Sequence, residues 1–389
     1  MFERRVRSGW CRSGSTCFVI GYALVVSLGP APGLWAAQPF CPLPPPAATA
    51  PRESVRQALC LYLALPVLWP LAQGETARSQ AEGSAESADD DPAQIANFGD
   101  LILQGKFQEV EPLLGSYVAA HPLSWKAYYF LGYVELRQRR IGESIKALAK
   151  SLELNANNAE AHKVLGRALS IIGRYDKATQ EFEEALRLDP TSAEVHYNFG
   201  RVYAIQDDFH RARTEFEKAI QLDPNYMEAY NALGFAMEAL GDDAAALADY
   251  QTAVRLNEER RGQFDAAYVN LSGYHNRRGN LDLAMEYANK ALELNPKSDL
   301  AYFQIAKTCR TKEDWKGVTD ALEKAIAIKA SSAQYHYVLG GAYRKLGKIK
   351  ESEQALETFR ELEKQTAELE SRRRESRRAA RGLELRPVD

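Results

Sequence analysis

The chain has 389 residues and a formal net charge of -3, from 49 basic and 52 acidic side chains. That length admits two or three globular domains or one long repeat array, and the near-balanced charge gives no field of one sign, which argues against nucleic acid and leaves other proteins as the default partners. Of the five cysteines, Cys11, Cys17, Cys41 and Cys60 all precede the folded-looking body and Cys309 stands alone within it, which excludes a disulfide scaffold and a zinc site of clustered thiolates.

Two apolar stretches open the chain, Cys17 to Leu28 behind Arg4, Arg5, Arg7 and Arg12, and Ala58 to Ala72 behind Arg52 and Arg56. A bilayer crossing needs ~20 apolar residues and a signal-peptide core only ~7–15, so each run fits an export signal better than a span. Residues 1–54 read as a disordered extension or, from their Arg, Gly, Pro, Ser, Cys and Trp bias, as translated upstream DNA, in which case synthesis from Val55 would leave one compact signal or anchor over residues 55–72. No Leu-x-(Gly/Ala)-Cys box comes after either run, which argues against lipidation. With a basic flank retained inside, the body of the chain is expected to be exported to a periplasm or envelope, or tethered to the membrane by its N-terminus. Residues 73–91, QGETARSQAEGSAESADDD, lack apolar periodicity and read as a flexible linker.

From there one pattern recurs. Leu165-Gly166, Phe199-Gly200 and Leu233-Gly234 are spaced 34 residues apart, followed in register by Gly173, Asp207 and Gly241, then Ala178, Ala212 and Ala246, then Phe182, Phe216 and Tyr250. Eight units fit: 91–124, 125–158, 159–192, 193–226, 227–260, 265–298, 299–332 and 333–366. The eighth place of each unit from the second onward is small, as Gly132, Gly166, Gly200, Gly234, Ser272, Ala306 and Gly340. Two antiparallel helices cross closely only where such a residue faces another small one, and Ser144, Ala178, Ala212, Ala246, Ala284 and Ser352 supply the partners.

These residues closely resemble the tetratricopeptide repeat. The resemblance implies an all-α, right-handed superhelical solenoid of about eight antiparallel helix pairs over residues 92–366. The first unit is degenerate, with Asn97 and Phe98 where Leu-Gly is usual, as suits a cap. Four residues are inserted near Asn257–Phe264, so the second helix of the fifth unit should be lengthened by about one turn and its loop should protrude. Beyond the last unit, residues 367–389 read as a charged helix and tail.

No phosphate-cradling glycine loop, nucleophile elbow, HExxH or calcium loop is present, no cofactor is implied, and one four-residue break in the spacing leaves no room for a catalytic domain. His162, His196 and His336 share the fourth place of their units, but units ~10 Å apart cannot bring them to one metal ion, and they read as polar-edged aromatics between helices. Asn270-Leu271-Ser272 matches a glycosylation acceptor but lies within a predicted helix.

In the resembled family the first helix of each unit lines a concave groove, with positions 2, 5, 6, 9, 12 and 13 on one side. Here those places hold Tyr129 and Tyr133, then Lys163 and Arg167, then Tyr197, Asn198 and Arg201, then Asn231 and Phe235. The later units add Asn270 and Arg277, then Phe303, Gln304, Lys307 and Arg310, and finally Tyr337 and Arg344. Tyrosine, asparagine and arginine suit an extended, partly acidic protein segment. The five-residue carboxylate clamp of some relatives is absent: Lys163 and Asn198 fit two places, whereas Arg167, Glu228 and Ala232 hold the rest. The sequence is therefore read as a non-enzymatic envelope scaffold or assembly factor for protein partners, the alternative being a docking subunit for polysaccharide synthesis, modification or export.

Overall fold

The computed structural model describes residues 90–384. The readings placed on residues 1–89, namely the apolar runs, the alternative start and all but the end of the linker, lie outside the described residues. Sixteen helices and no strand occur among the described residues, paired as α1 (Pro92–Leu103) with α2 (Phe107–Ala120), α3 (Trp125–Arg137) with α4 (Ile141–Leu154), and α5 (Ala159–Ile171) with α6 (Tyr175–Leu188). The next pairs are α7 (Ala193–Ile205) with α8 (Phe209–Leu222), α9 (Met227–Leu240) with α10 (Asp243–Glu259), and α11 (Asp265–Arg277) with α12 (Leu281–Leu294). The last are α13 (Asp299–Thr311) with α14 (Trp315–Ile328), and α15 (Ala333–Lys345) with α16 (Ile349–Glu384). Each helix of a pair packs chiefly on its mate and on the next unit, the arrangement of an all-helical repeat solenoid.

Local chemistry sets the helix ends. The Ser124 hydroxyl accepts the Ala127 N–H at 3.2 Å, and the Asn158, Asp242 and Asp314 side chains accept those of Ala161, Ala245 and Gly317 at 3.1, 3.1 and 2.9 Å, satisfying first-turn donors. Within each unit the chain reverses through one left-handed residue at the fifteenth place. Five of the eight are glycine, and Arg139, Asp207 and Glu313 hold the same positive φ, 64°, 62° and 58°. A side chain there costs ~1–2 kcal/mol, so tertiary packing enforces the turn where the sequence does not favour it.

The small eighth residue sets how closely the helices of a pair approach. A Cβ on Gly166 would stand 2.6 Å from the Phe182 ring, and one on Gly200 would stand 2.7 Å from Phe216 and 3.1 Å from the Ala212 carbonyl. Where serine occupies either side of this contact it is tied down: Ser144 donates to the Gly132 carbonyl at 2.7 Å, Ser272 to that of Ala284 at 2.6 Å, and Ser352 to that of Gly340 at 2.7 Å. The first unit has Phe98 at this place, edge-on to Tyr117 at 5.3 Å, and α1 packs on α2 more loosely than any later pair packs. The apolar interior continues from unit to unit, as in the run Leu148, Leu165, Phe182 and Phe199.

The expected lengthening in the fifth unit is present: α10 has 17 residues where most second helices have 14. Buried Asn257 pins the exposed loop after it, its Oδ1 accepting the Phe264 N–H at 3.0 Å. Helix α16 runs for 36 residues, buries Ser352 and Ala355 in its first turns, and leaves Leu369 exposed. Among the described residues no helix is long and apolar enough to cross a membrane.

Candidate functional site: the first-helix face

First helices of successive units touch one another from α1 through α13, whereas second helices reach the next unit chiefly through its first helix. The row of first helices is therefore the inner side of the stack, and the candidate residues lie along it.

The cations that the third unit places on this face are neutralised from within. The buried Lys163 ammonium lies 2.7 Å from Glu160 and 2.8 Å from Glu194, and Arg167 reaches Glu194 at 3.2 Å. Burial works against the charge on Lys163, but Glu194 and Glu160 outweigh it and hold the ammonium well above its usual pKa. Burial likewise works against charge on Glu194, and Lys163 and Arg167 overcome it and keep the carboxylate low. Asn198 donates to the Glu194 backbone carbonyl at 2.8 Å. Arg201 lies over the Tyr197 ring, 5.4 Å from its centroid. Burial raises the hydroxyl pKa values of Tyr129 and Tyr197. Tyr133 accepts a hydrogen bond from Arg137 at 3.3 Å.

The middle of the row is an amide seam. Asn270 on α11 donates to buried Asn231 on α9 at 3.0 Å, linking adjacent units. Phe235 lies beside Phe209, with ring centroids 6.0 Å apart. Asn276, the neighbour of Arg277, donates to the Gln304 carbonyl at 3.1 Å, and Thr308 donates to Asn276 at 2.8 Å.

The last units differ. Arg277 grips Glu238 through two bonds of 2.5 and 2.6 Å, and Arg278 is shared between Glu238 and Asp243. Lys307 lies over the Phe303 ring at 4.6 Å, and burial together with Arg277 and Arg310 pushes its pKa down to about 8. Phe303 and Gln304 are buried, whereas Arg310, Tyr337 and Arg344 are exposed. Tyr337 rests against Phe359 at 5.3 Å while 58% exposed. Lys163, Asn198, Asn231 and Gln304 thus serve the stack itself, while Arg310, Tyr337 and Arg344 are open to solvent.

Two of the histidines link the helices of a pair, Nδ1 of His162 lying 2.7 Å from Glu181 and Nδ1 of His196 2.7 Å from Glu215, while His336 meets the carbonyl of Ala330 in the preceding turn at 2.9 Å. Among the described residues no group of three possible metal ligands forms. Sequence reasoning misses the acids of these links, as it misses Glu238. A signal exists for the first two, because Glu181 and Glu215 both come 19 residues after their histidine.

Family profiles agree with this architecture. A profile described as TPR repeat matches residues 166–207 and 200–241, one described as tetratricopeptide repeat matches 100–159 and 239–299, and one for subunit 3 of the anaphase-promoting complex, or cyclosome, matches 277–359. The chain is a tetratricopeptide-repeat protein. Among solved structures it is similar to the Cut9–Hcn1 hetero-tetramer of that complex, at 18% identity and a TM-score of 0.57 over 70% of this chain. It spans about half, 52%, of the length of that relative. It is also similar to a tetratricopeptide-repeat protein from Parabacteroides merdae, at 16% identity and a TM-score of 0.53, covering 64% of this chain and 96% of the other. Both likenesses concern the fold. A search of curated proteins finds no match.

Proposed function

We propose that this chain is a protein–protein interaction scaffold that holds an extended segment of another protein along its first helices, and that it works in the cell envelope after export or while tethered by its N-terminus. The observation that carries the docking reading is the inner row itself, where Tyr133, Arg201, Phe235, Arg310 and Tyr337 stay at least partly exposed over successive units on a repeat fold typical of interaction scaffolds. Export is supported by sequence alone, through the two short apolar runs behind arginines.

A photo-crosslinking residue placed at Phe235 or Tyr337 should capture a partner in cells, and the same residue at Gln251, exposed on second helix α10, should not. Equal capture at all three sites, or at none, would sink the docking reading. Recovery of the chain from the cytosolic fraction of those cells would remove the envelope assignment. Capture of a polysaccharide synthase would favour the docking-subunit role.

A further inference from the structure

The ninth place of each first helix forms a row along the inner face: Gly99, Tyr133, Arg167, Arg201, Phe235, Gly273, Lys307 and Gly341. Lys307 is the one side chain in this row with glycine on both sides. A Cβ on Gly273 would stand 3.1 Å from Gln304 Nε2 and 3.3 Å from Arg277 Nη1, so its absence leaves room for the guanidinium to lie against α11. On the other side Gly341 is exposed, and a Cβ there would meet nothing within 4 Å. At this place of the row α15 therefore presents no side chain.

The charges around this place do not balance. Arg277, Arg278, Lys307 and Arg310 are met by Glu238 and Asp243, four cations against two carboxylates. Both carboxylates are engaged by the arginines of α11 and its C-terminal end, and among the described residues neither Lys307 nor Arg310 has an ion-pair partner. Lys163 shows the opposite arrangement within the same face, held between two carboxylates. Clustered like charges disfavour the charged forms and cost folding free energy, a cost removed when an anion arrives.

We propose that Lys307 and Arg310, backed by Arg277, receive the side-chain carboxylates of an acidic segment of a partner protein that crosses the inner row over Gly341. The proposal rests on the docking reading and fixes where along the groove the acidic part of the segment lies. The surplus of two positive charges suits one or two carboxylates.

The test is fluorescence anisotropy of the full chain with a labelled oligoglutamate peptide and its oligoglutamine counterpart. The glutamate peptide should bind and the glutamine peptide should not. Lys307→Met should weaken glutamate binding about tenfold or more, the scale of a charge-assisted hydrogen bond. Its melting temperature should be no lower than the parent's, because a crowded, half-buried cation has been removed. Gly341→Trp keeps every charge and fills open space, and it should weaken binding as well. Equal affinity for the two peptides, undiminished binding by Lys307→Met, a lowered melting temperature for that variant, or tighter binding of a single-stranded oligonucleotide would each overturn the proposal. If crosslinks from Phe235 and Tyr337 still capture a partner while Lys307→Met changes nothing, the anchor fails and the docking reading stands. If no inner-row position captures a protein, the docking reading fails whatever the peptides do.

Discussion

Glu135 on α3 shows how much one carboxylate can cost this fold. It is buried, its Oε2 has no hydrogen-bond partner, and burial raises its pKa to about 7, against the pull of Arg140 and with a further push from Glu143 and Glu111. The folded state therefore binds this proton more tightly than the unfolded chain does, and stability falls as pH rises from ~4.3 through about 7. Replacing the carboxylate by the amide in Glu135→Gln should leave thermal stability near pH 4 little changed and should raise it at pH 8 by about 1–3 kcal/mol, because at that pH the native carboxyl must carry a buried charge and the amide carries none. Thermal melts at the two pH values decide the matter. An equal shift at both would mean that the carboxylate is not protonated in the fold.

At the scale of the helix pair, the eighth place governs everything that packs around it. Gly200→Leu would drive a branched side chain into the Phe216 ring and the Ala212 carbonyl, and it should destabilise by about 1–3 kcal/mol or more. Denaturant titration checks this, and an unchanged midpoint would show that α7 and α8 can separate freely. This contact is legible in the sequence because it repeats every 34 residues as a plain size rule. The turn between paired helices is only partly legible, since Arg139 and Glu313 take a left-handed conformation that nothing in their chemistry favours. Candidate groove residues are found by position, but position alone does not reveal partners. Lys163 and Lys307 both lie on the inner face, and only the fold shows that one is sealed by Glu160 and Glu194 while the other faces guanidinium groups. Gly273 and Gly341 escape a reading of the sequence for a related reason: an absent side chain signals function only once its neighbours are known.

For the whole array, stability is a sum of units and the interfaces between them, so the weakest interface decides where it opens. Among the described residues the junction of α6 with α7 is the least intimate of those between successive units. Hydrogen exchange should show the units on the two sides of this junction losing protection at different denaturant concentrations, a departure from two-state behaviour. Simultaneous loss across all units would refute this.

The contact pattern also has a mechanical side. From α1 through α13 the inner helices meet their counterparts in the next unit and the outer helices scarcely do, so this part of the stack is stiffer along one edge than along the other. A segment laid on the stiff edge acts as a splint. Its arrival and departure would be felt at the compliant edge as a change in the spacing of the second helices, and the molecule would behave as a leaf spring whose set depends on what it holds.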